Sequence, residues 1–190
     1  MKKVLVLNYS PRKKGYSAGV CSVVSDVLRE KGADVTVLFG CDLNVGYCKG
    51  CGACKKKDHL FCVQKDDFTS LIPLIDDCDA IFFAAPVYYD HVPGPAKIFI
   101  DRTYCFWNPE LPEPLYTVKG SKKIGVFMPC GAPEPYSQVA EWVAEMFKTV
   151  GITDYKYIVK GNLNDFWDAE DPYCAEIAEE SKALASWLID

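Results

Sequence analysis

Four cysteines, Cys48, Cys51, Cys54 and Cys62, fall within 15 residues, in the run YCKGCGACKKKDHLFC. The first three are spaced C-x2-C-x2-C, and the fourth follows after seven intervening residues. Thiolates are soft ligands that suit iron–sulfur clusters and zinc. Two-residue spacing lets one tight loop aim several sulfurs at one centre, and Gly50 and Gly52 supply the backbone freedom such a loop needs. Spacing leaves three outcomes open: a [4Fe–4S] cluster on four thiolates, a zinc site, or thiols that hold no metal. Zinc sites usually pair two C-x2-C knuckles across a longer gap, and three cysteines plus one match that less well.

Three further segments could do chemistry. Asn8-Tyr9-Ser10-Pro11-Arg12-Lys13-Lys14-Gly15-Tyr16-Ser17 offers the hydroxyls of Ser10 and Ser17 and the charge of Arg12 ahead of a helical pattern. Those groups and a helix N-terminus suit a phosphate. The segment has neither G-x-G-x-x-G nor the Walker lysine pattern, so a dinucleotide fingerprint and a P-loop are both unsupported. A solvated basic loop with a Ser cap is the plainer reading of the same residues. Ala85–Gly94 exposes Tyr88 and Tyr89 beside prolines, and Pro129-Cys130-Gly131-Ala132-Pro133 follows a later apolar run. Aromatics and backbone amides around a flat ring are what a flavin site needs. Simple packing of the following helix is the other reading of the two tyrosines.

These segments need elements to hold them. Five apolar runs, Lys3–Leu7, Asp34–Phe39, Ala80–Ala85, Lys123–Met128 and Tyr155–Val159, are nearly continuous rather than alternating. That pattern predicts parallel strands covered on both faces. Helical spacing predicts helices over Ser17–Lys31, Asp67–Cys78 (with Pro73 a blemish), Pro93–Tyr104, Glu134–Val150 and Asp171–Leu188. Strand and helix alternate five times, which predicts one α/β domain over residues 1–190 with a doubly wound parallel sheet. Two stretches interrupt the alternation: the cysteine segment, about 41–65, after the second strand, and Cys105–Gly120. Both exceed the usual connection of about 2–6 residues.

Bulk properties narrow the classes. A formal net charge of −5 argues against nucleic acid as the main partner. No apolar run approaches the roughly 20 residues that span a bilayer, and VLVLNYS is too short for a signal-peptide core. A cytoplasmic location is expected, where disulfides are rare. Ten cysteines then point to metal or redox work. Lys55-Lys56-Lys57 reads as a solvated face. His59 and His91 read as surface or packing residues, with His91, beside Tyr88 and Tyr89, the better candidate for a functional contact, and Cys21, Cys78 and Cys174 as small buried hydrophobes. Phe106 and Trp107 read as core or interface packing.

Taken together, SPRKKGYS, the cysteine segment ending in CVQKDDF, and APVYYDHVPGPAKIFIDR resemble the flavodoxin-fold NADPH-dependent FMN reductases, and within them the iron–sulfur flavoproteins. The resemblance implies strand order 2-1-3-4-5. It implies that Ser10, Arg12 and Ser17 hold the FMN phosphate, and that Pro86, Val87, Tyr88 and Tyr89 border the isoalloxazine ring. Cys130 and Gly131 would close the pocket. It also implies a [4Fe–4S] cluster on Cys48, Cys51, Cys54 and Cys62, a reductant such as NAD(P)H or ferredoxin, and a homo-oligomer, a dimer or tetramer, in which the cluster of one subunit approaches the FMN of another. Two departures stand out. Tyr9 replaces a common Gly, which predicts an added side chain near the phosphate loop, and Tyr16 replaces a common Asn, which removes a polar contact. A cluster-free FMN or quinone reductase and a flavodoxin-like electron carrier are the competing readings.

Overall fold

The computed structural model describes residues 1–56, 61–109, 121–133, 136–164 and 166–190. Lys57, His59, Glu134 and residues 110–120 of the second long stretch lie outside the described residues. The strands are β1 (Lys3–Asn8), β2 (Asp34–Phe39), β3 (Ala80–Ala84), β4 (Lys122–Pro129) and β5 (Ile152–Lys160). The helices are α1 (Tyr16–Glu30), α2 (Asp67–Asp77), α3 (Gly94–Thr103), α4 (Ser137–Met146) and α5 (Pro172–Ile189). All strand pairs are parallel, in the order β2-β1-β3-β4-β5.

Successive strand residues point to opposite faces, and both faces are covered. Leu5, Leu7 and Phe83 join one core with Phe68, Ile75, Phe99, Val143 and Phe147 from α2, α3 and the end of α4. Val4, Val6 and Phe82 join the other with Val20, Val24 and Leu28 of α1 and Ile177, Leu184 and Leu188 of α5. Each fully buried aliphatic or aromatic side chain contributes about 1.5–3 kcal/mol. Continuous apolar runs in β1 and β3 follow directly from this sandwiching.

The helix expected over Asp67–Cys78 forms, and two other expectations about elements need correction. Pro73 does not break α2. It sits on the exposed side, while Phe68, Leu71, Ile72 and Ile75 anchor the opposite face and Asp66 caps the first turn by accepting from Phe68 N. The buried Lys122 donates from Nζ to the carbonyls of Asp76 (2.8 Å) and Cys78 (2.5 Å), tying the C-terminal end of α2 to β4. β5 begins three residues before the apolar run, because its pairing with Lys122 is made by backbone, whatever the side chains. As an edge strand it leaves residues 153–157 exposed rather than covered on both faces. The fourth helix ends early in a 3-10 turn, Phe147–Val150, closed by Gly151 at φ 84°.

Candidate functional site

The carboxyl ends of β1, β3, β4 and β5 open on one cleft of about 130 Å³. The first wall is the segment after β1. Asn8 Oδ1 accepts from Ser10 N at 2.9 Å, Ser10 Oγ accepts from Arg12 N at 3.2 Å, and Gly15 N donates to Arg12 O at 3.2 Å. The chain thus coils tightly and delivers Gly15 as the N-cap of α1, with no side-chain cap and no acidic residue in the first turn. A helix start left open this way favours an anion. Ser17 Oγ is buried in this wall without a hydrogen-bond partner, and so is Asn8 Nδ2 behind it. Buried polar groups are nearly always bonded, so an orphaned hydroxyl lining a cleft marks a place for an acceptor.

The second wall follows β3. Val87 N donates to Pro129 O at 3.0 Å, which fixes this segment to β4. Tyr88 and His91 then exchange backbone hydrogen bonds of 2.8 and 3.1 Å around Tyr89 (φ 49°) and Asp90 (φ 58°). Two successive positive φ values make a two-residue hairpin turn of the I′ kind. The turn carries Tyr89 out of the cleft. Its side chain is fully exposed and does not line the cleft. The other eight expected residues, Ser10, Arg12, Ser17, Pro86, Val87, Tyr88, Cys130 and Gly131, all line the cleft. His91 packs edge-on to Trp142 at 4.3 Å.

The third wall adds residues the sequence reading missed: Leu163 and Asn164, after β5. Arg12 Nη1 donates to Asn164 O at 3.3 Å, and Asn164 Nδ2 donates to Gly131 O at 3.4 Å, so Asn164 clasps the first wall to the β4 loop. A Cβ on Gly131 would come 2.4 Å from Asn164 Oδ1, and one on Gly161 would come 2.5 Å from Ala132 O. Gly161 is required by this close approach of backbone, whereas at Gly131 the Asn164 side chain would have to turn away. The signal for this wall was topological: β5 also ends at the carboxyl edge, where ligands bind.

The two departures resolve differently from expectation. Tyr9 does not enter the phosphate loop. Its ring turns into the core, 5.5 Å from Phe83 and 5.3 Å from Phe99, and its hydroxyl is buried without a partner. Gly40 makes the room, since a Cβ there would lie 2.0 Å from the Tyr9 ring. Tyr16 remains at the cleft and packs edge-on to Trp167, whose amide donates to Lys14 O at 3.2 Å.

A second cavity, of about 230 Å³, lies beside α3. Cys48, Cys51, Cys54 and Cys62 all line it, and Cys105 adds a fifth thiol. Gly50 (φ 59°) and Gly52 (φ 68°) take left-handed conformations between the cysteines. The Cys54 thiol is pushed up by burial first, against Lys55, and then by Cys62 and Cys48, so these sulfurs feel one another's charge. Burial pushes Cys105 up to about 12. Lys55 is not a solvated side chain as expected. Its Nζ donates to the carbonyls of Tyr104 and Trp107 and lies 3.6 Å and 5.0 Å from their ring centroids. Among the described residues, no three His, Cys, Asp or Glu side chains converge closely enough for a single ion. The donor set fits a [4Fe–4S] cluster in kind, because four thiolates are supplied to one cavity and each would serve its own iron.

Comparison with known proteins gives concordant results. The family model for NADPH-dependent FMN reductase matches residues 2–118. An iron–sulfur flavoprotein of Archaeoglobus fulgidus is 33% identical over 159 residues, 84% of this chain and 68% of that protein. One from Methanosarcina thermophila is 33% identical over 101 residues, 53% of this chain and 52% of its own length, so the matched region spans about half of that relative. Among solved structures, an azoreductase from Bacillus anthracis superposes with a TM-score of 0.73 at 20% identity, covering 98% of this chain and 100% of that one. An NAD(P)H:quinone oxidoreductase from Methanothermobacter marburgensis gives 0.71 at 17% identity, with 100% and 98% covered. At those identities the superpositions establish a shared flavodoxin-like fold.

Proposed function

The chain belongs to the NADPH-dependent FMN reductase family, a family of oxidoreductases, and from that premise we propose that it moves electrons between NAD(P)H or ferredoxin and an acceptor through FMN, with a [4Fe–4S] cluster as relay. The observation that carries the flavin reading is the convergence of Ser10, Arg12 and the orphaned Ser17 Oγ at the open start of α1. Bound there, FMN supplies a ring that takes up electrons in pairs and releases them singly or in pairs. The two serines and Arg12 hold and orient its phosphate. Pro86, Val87 and Tyr88 border the ring and exclude water from one side, and Cys130, Gly131 and Asn164 close the opposite wall. No side-chain acid or nucleophile is needed, so no catalytic residue is named. Cys48, Cys51, Cys54 and Cys62 ligate the cluster. The redox partner is a small molecule or an electron carrier. The exposed Tyr88, Tyr89 and Tyr104, near the two cavities, offer surface to a second copy, in keeping with a homo-oligomer. No helix among the described residues is long and apolar enough to cross a membrane, and ten free thiols suit the cytoplasm.

A single anaerobic preparation tests this reading by absorbance spectrum with flavin, iron and zinc analysis. Bound FMN and about four irons per chain are expected. Protein that binds no flavin overturns it. Flavin without iron leaves the cluster-free reductase. Reduction by ferredoxin but not by NAD(P)H would leave the electron-carrier reading.

A further inference from the structure

Among the described charged residues bordering the cysteine cavity, Arg102 alone is buried, with its side chain fully withdrawn from water. It sits in the last turn of α3. Nη1 donates to Asp66 Oδ2 at 2.6 Å and to Gly46 O at 2.7 Å, and Nη2 donates to Asp66 Oδ1 at 3.1 Å. The guanidinium carbon lies 4.7 Å from the Phe68 ring centroid. Asp66 is held in turn by the amides of Gly46 (3.0 Å) and Phe68 (3.2 Å). A planar fork gripped on two nitrogens and stacked on a ring has one orientation. That orientation puts the cation on the cavity, while Asp66 does not border it.

Capping α2 and closing the loop at Gly46 account for Nη1 and Nη2. They leave Nε buried with no hydrogen-bond partner. Cys62 lines the same cavity as this unpartnered donor. In the metal-free chain the thiol is a weak acceptor. A thiolate on iron would be a strong one.

We propose that Arg102 is a positioning residue for redox chemistry in this cavity: its fixed guanidinium orients the Cys62 sulfur and sets the reduction potential of a [4Fe–4S] cluster there. The assignment rests on the cluster reading above. A cluster on four thiolates is already anionic and gains one more negative charge on accepting an electron from the flavin or an outside carrier. A buried cation stabilises that added charge more than it stabilises the oxidised form, because the interior screens weakly. Net charge and hydrogen bonds to the sulfurs are the levers that set cluster potentials. Arg102 keeps its protons throughout. Lys55, pinned to the Tyr104 and Trp107 carbonyls, is a second and more exposed cation on the same cavity.

The test is a spectroscopic redox titration of the full chain, reconstituted anaerobically with iron and sulfide, with iron content and the flavin potential measured alongside. Arg102→Gln combined with Asp66→Asn replaces the ion pair by a neutral hydrogen-bonded pair, a change that buried pairs often tolerate. Its cluster is expected to become harder to reduce by about tenfold in the equilibrium constant, about 59 mV for one electron. The flavin potential should stay at the wild-type value. Arg102→Lys keeps the charge and should recover most of the shift. A loaded double variant with the wild-type potential overturns the assignment. Should that variant take up no iron, Arg102→Lys decides, because it lacks Nε–H: a small downward shift supports the assignment and an unmoved potential overturns it. Wild-type protein that takes up no iron overturns the cluster reading first and this assignment with it.

Discussion

Single atoms separate structural from ligand-directed residues here. Ser17 and Tyr9 each bury a hydroxyl without a partner, yet only Ser17 lines the cleft. For Ser17→Ala the flavin-free protein should lose no stability, since an unsatisfied buried hydroxyl contributes nothing favourable. FMN affinity should fall roughly 10- to 100-fold, the loss of one hydrogen bond to a charged group of about 1.5–3 kcal/mol. Fluorescence titration of FMN beside thermal unfolding of the apoprotein reads both signs, and unchanged affinity would remove Ser17 from the phosphate site. Tyr9→Phe makes the opposite case. Deleting an orphaned hydroxyl among Phe83 and Phe99 should stabilise by about 1 kcal/mol, raising Tm by about 2–4 °C with FMN affinity unchanged. A lower Tm would mean that the hydroxyl has a partner after all. Sequence could place Tyr9 beside the phosphate loop and no further, because its direction was decided by space at Gly40, a residue 31 positions away.

At the scale of elements, β2 matches the apolar run residue for residue, since the stretch Asp34–Phe39 lies between Gly32-Ala33 and Gly40. The cleft was legible wherever a loop carried polar or aromatic residues. It was not legible after β5, where Asn164 acts largely through backbone and a short amide. Arg102 was likewise invisible, because its meaning lies in Asp66 and the cysteine cavity, which meet it only in the fold. Tyr89 stands outside the cleft for a different reason: side-chain chemistry suggested a ring contact, and the backbone dihedrals turn it outward. Left-handed φ at a bulky residue costs about 1–2 kcal/mol. The turn at 88–91 therefore holds strain beside the ring wall, and Asn-Gly is the pair such turns prefer. Tyr89→Asn with Asp90→Gly is expected to stabilise the apoprotein by about 1 kcal/mol, some 2–4 °C in Tm. Since Tyr89 is outside the cleft, FMN affinity should stay within twofold. A large loss of affinity would return Tyr89 to the site, as cover supplied only when flavin is bound.

Over the whole molecule, the two cavities are built from different parts of the chain. The cleft draws on the loops after β1, β3, β4 and β5, and the cysteine cavity on the segment after β2 together with the C-terminal end of α3; among the described residues no side chain borders both. The sheet that positions the cleft is held by two cores to which Cys54 and Cys62 contribute only partly buried side chains, and Cys48 and Cys51 none. Loss of the four thiols should therefore leave the flavin site standing. Replacing Cys48, Cys51, Cys54 and Cys62 by Ala is expected to abolish iron uptake while FMN content and affinity remain within about threefold of wild type, less than 1 kcal/mol. Electron delivery from NAD(P)H to a small quinone would persist if it runs through the flavin alone, and delivery to or from a one-electron carrier protein would fall if that route runs through the proposed cluster. Flavin and iron lost together would show the two sites to be one cooperative unit, and the separation of the cavities would then have no functional meaning.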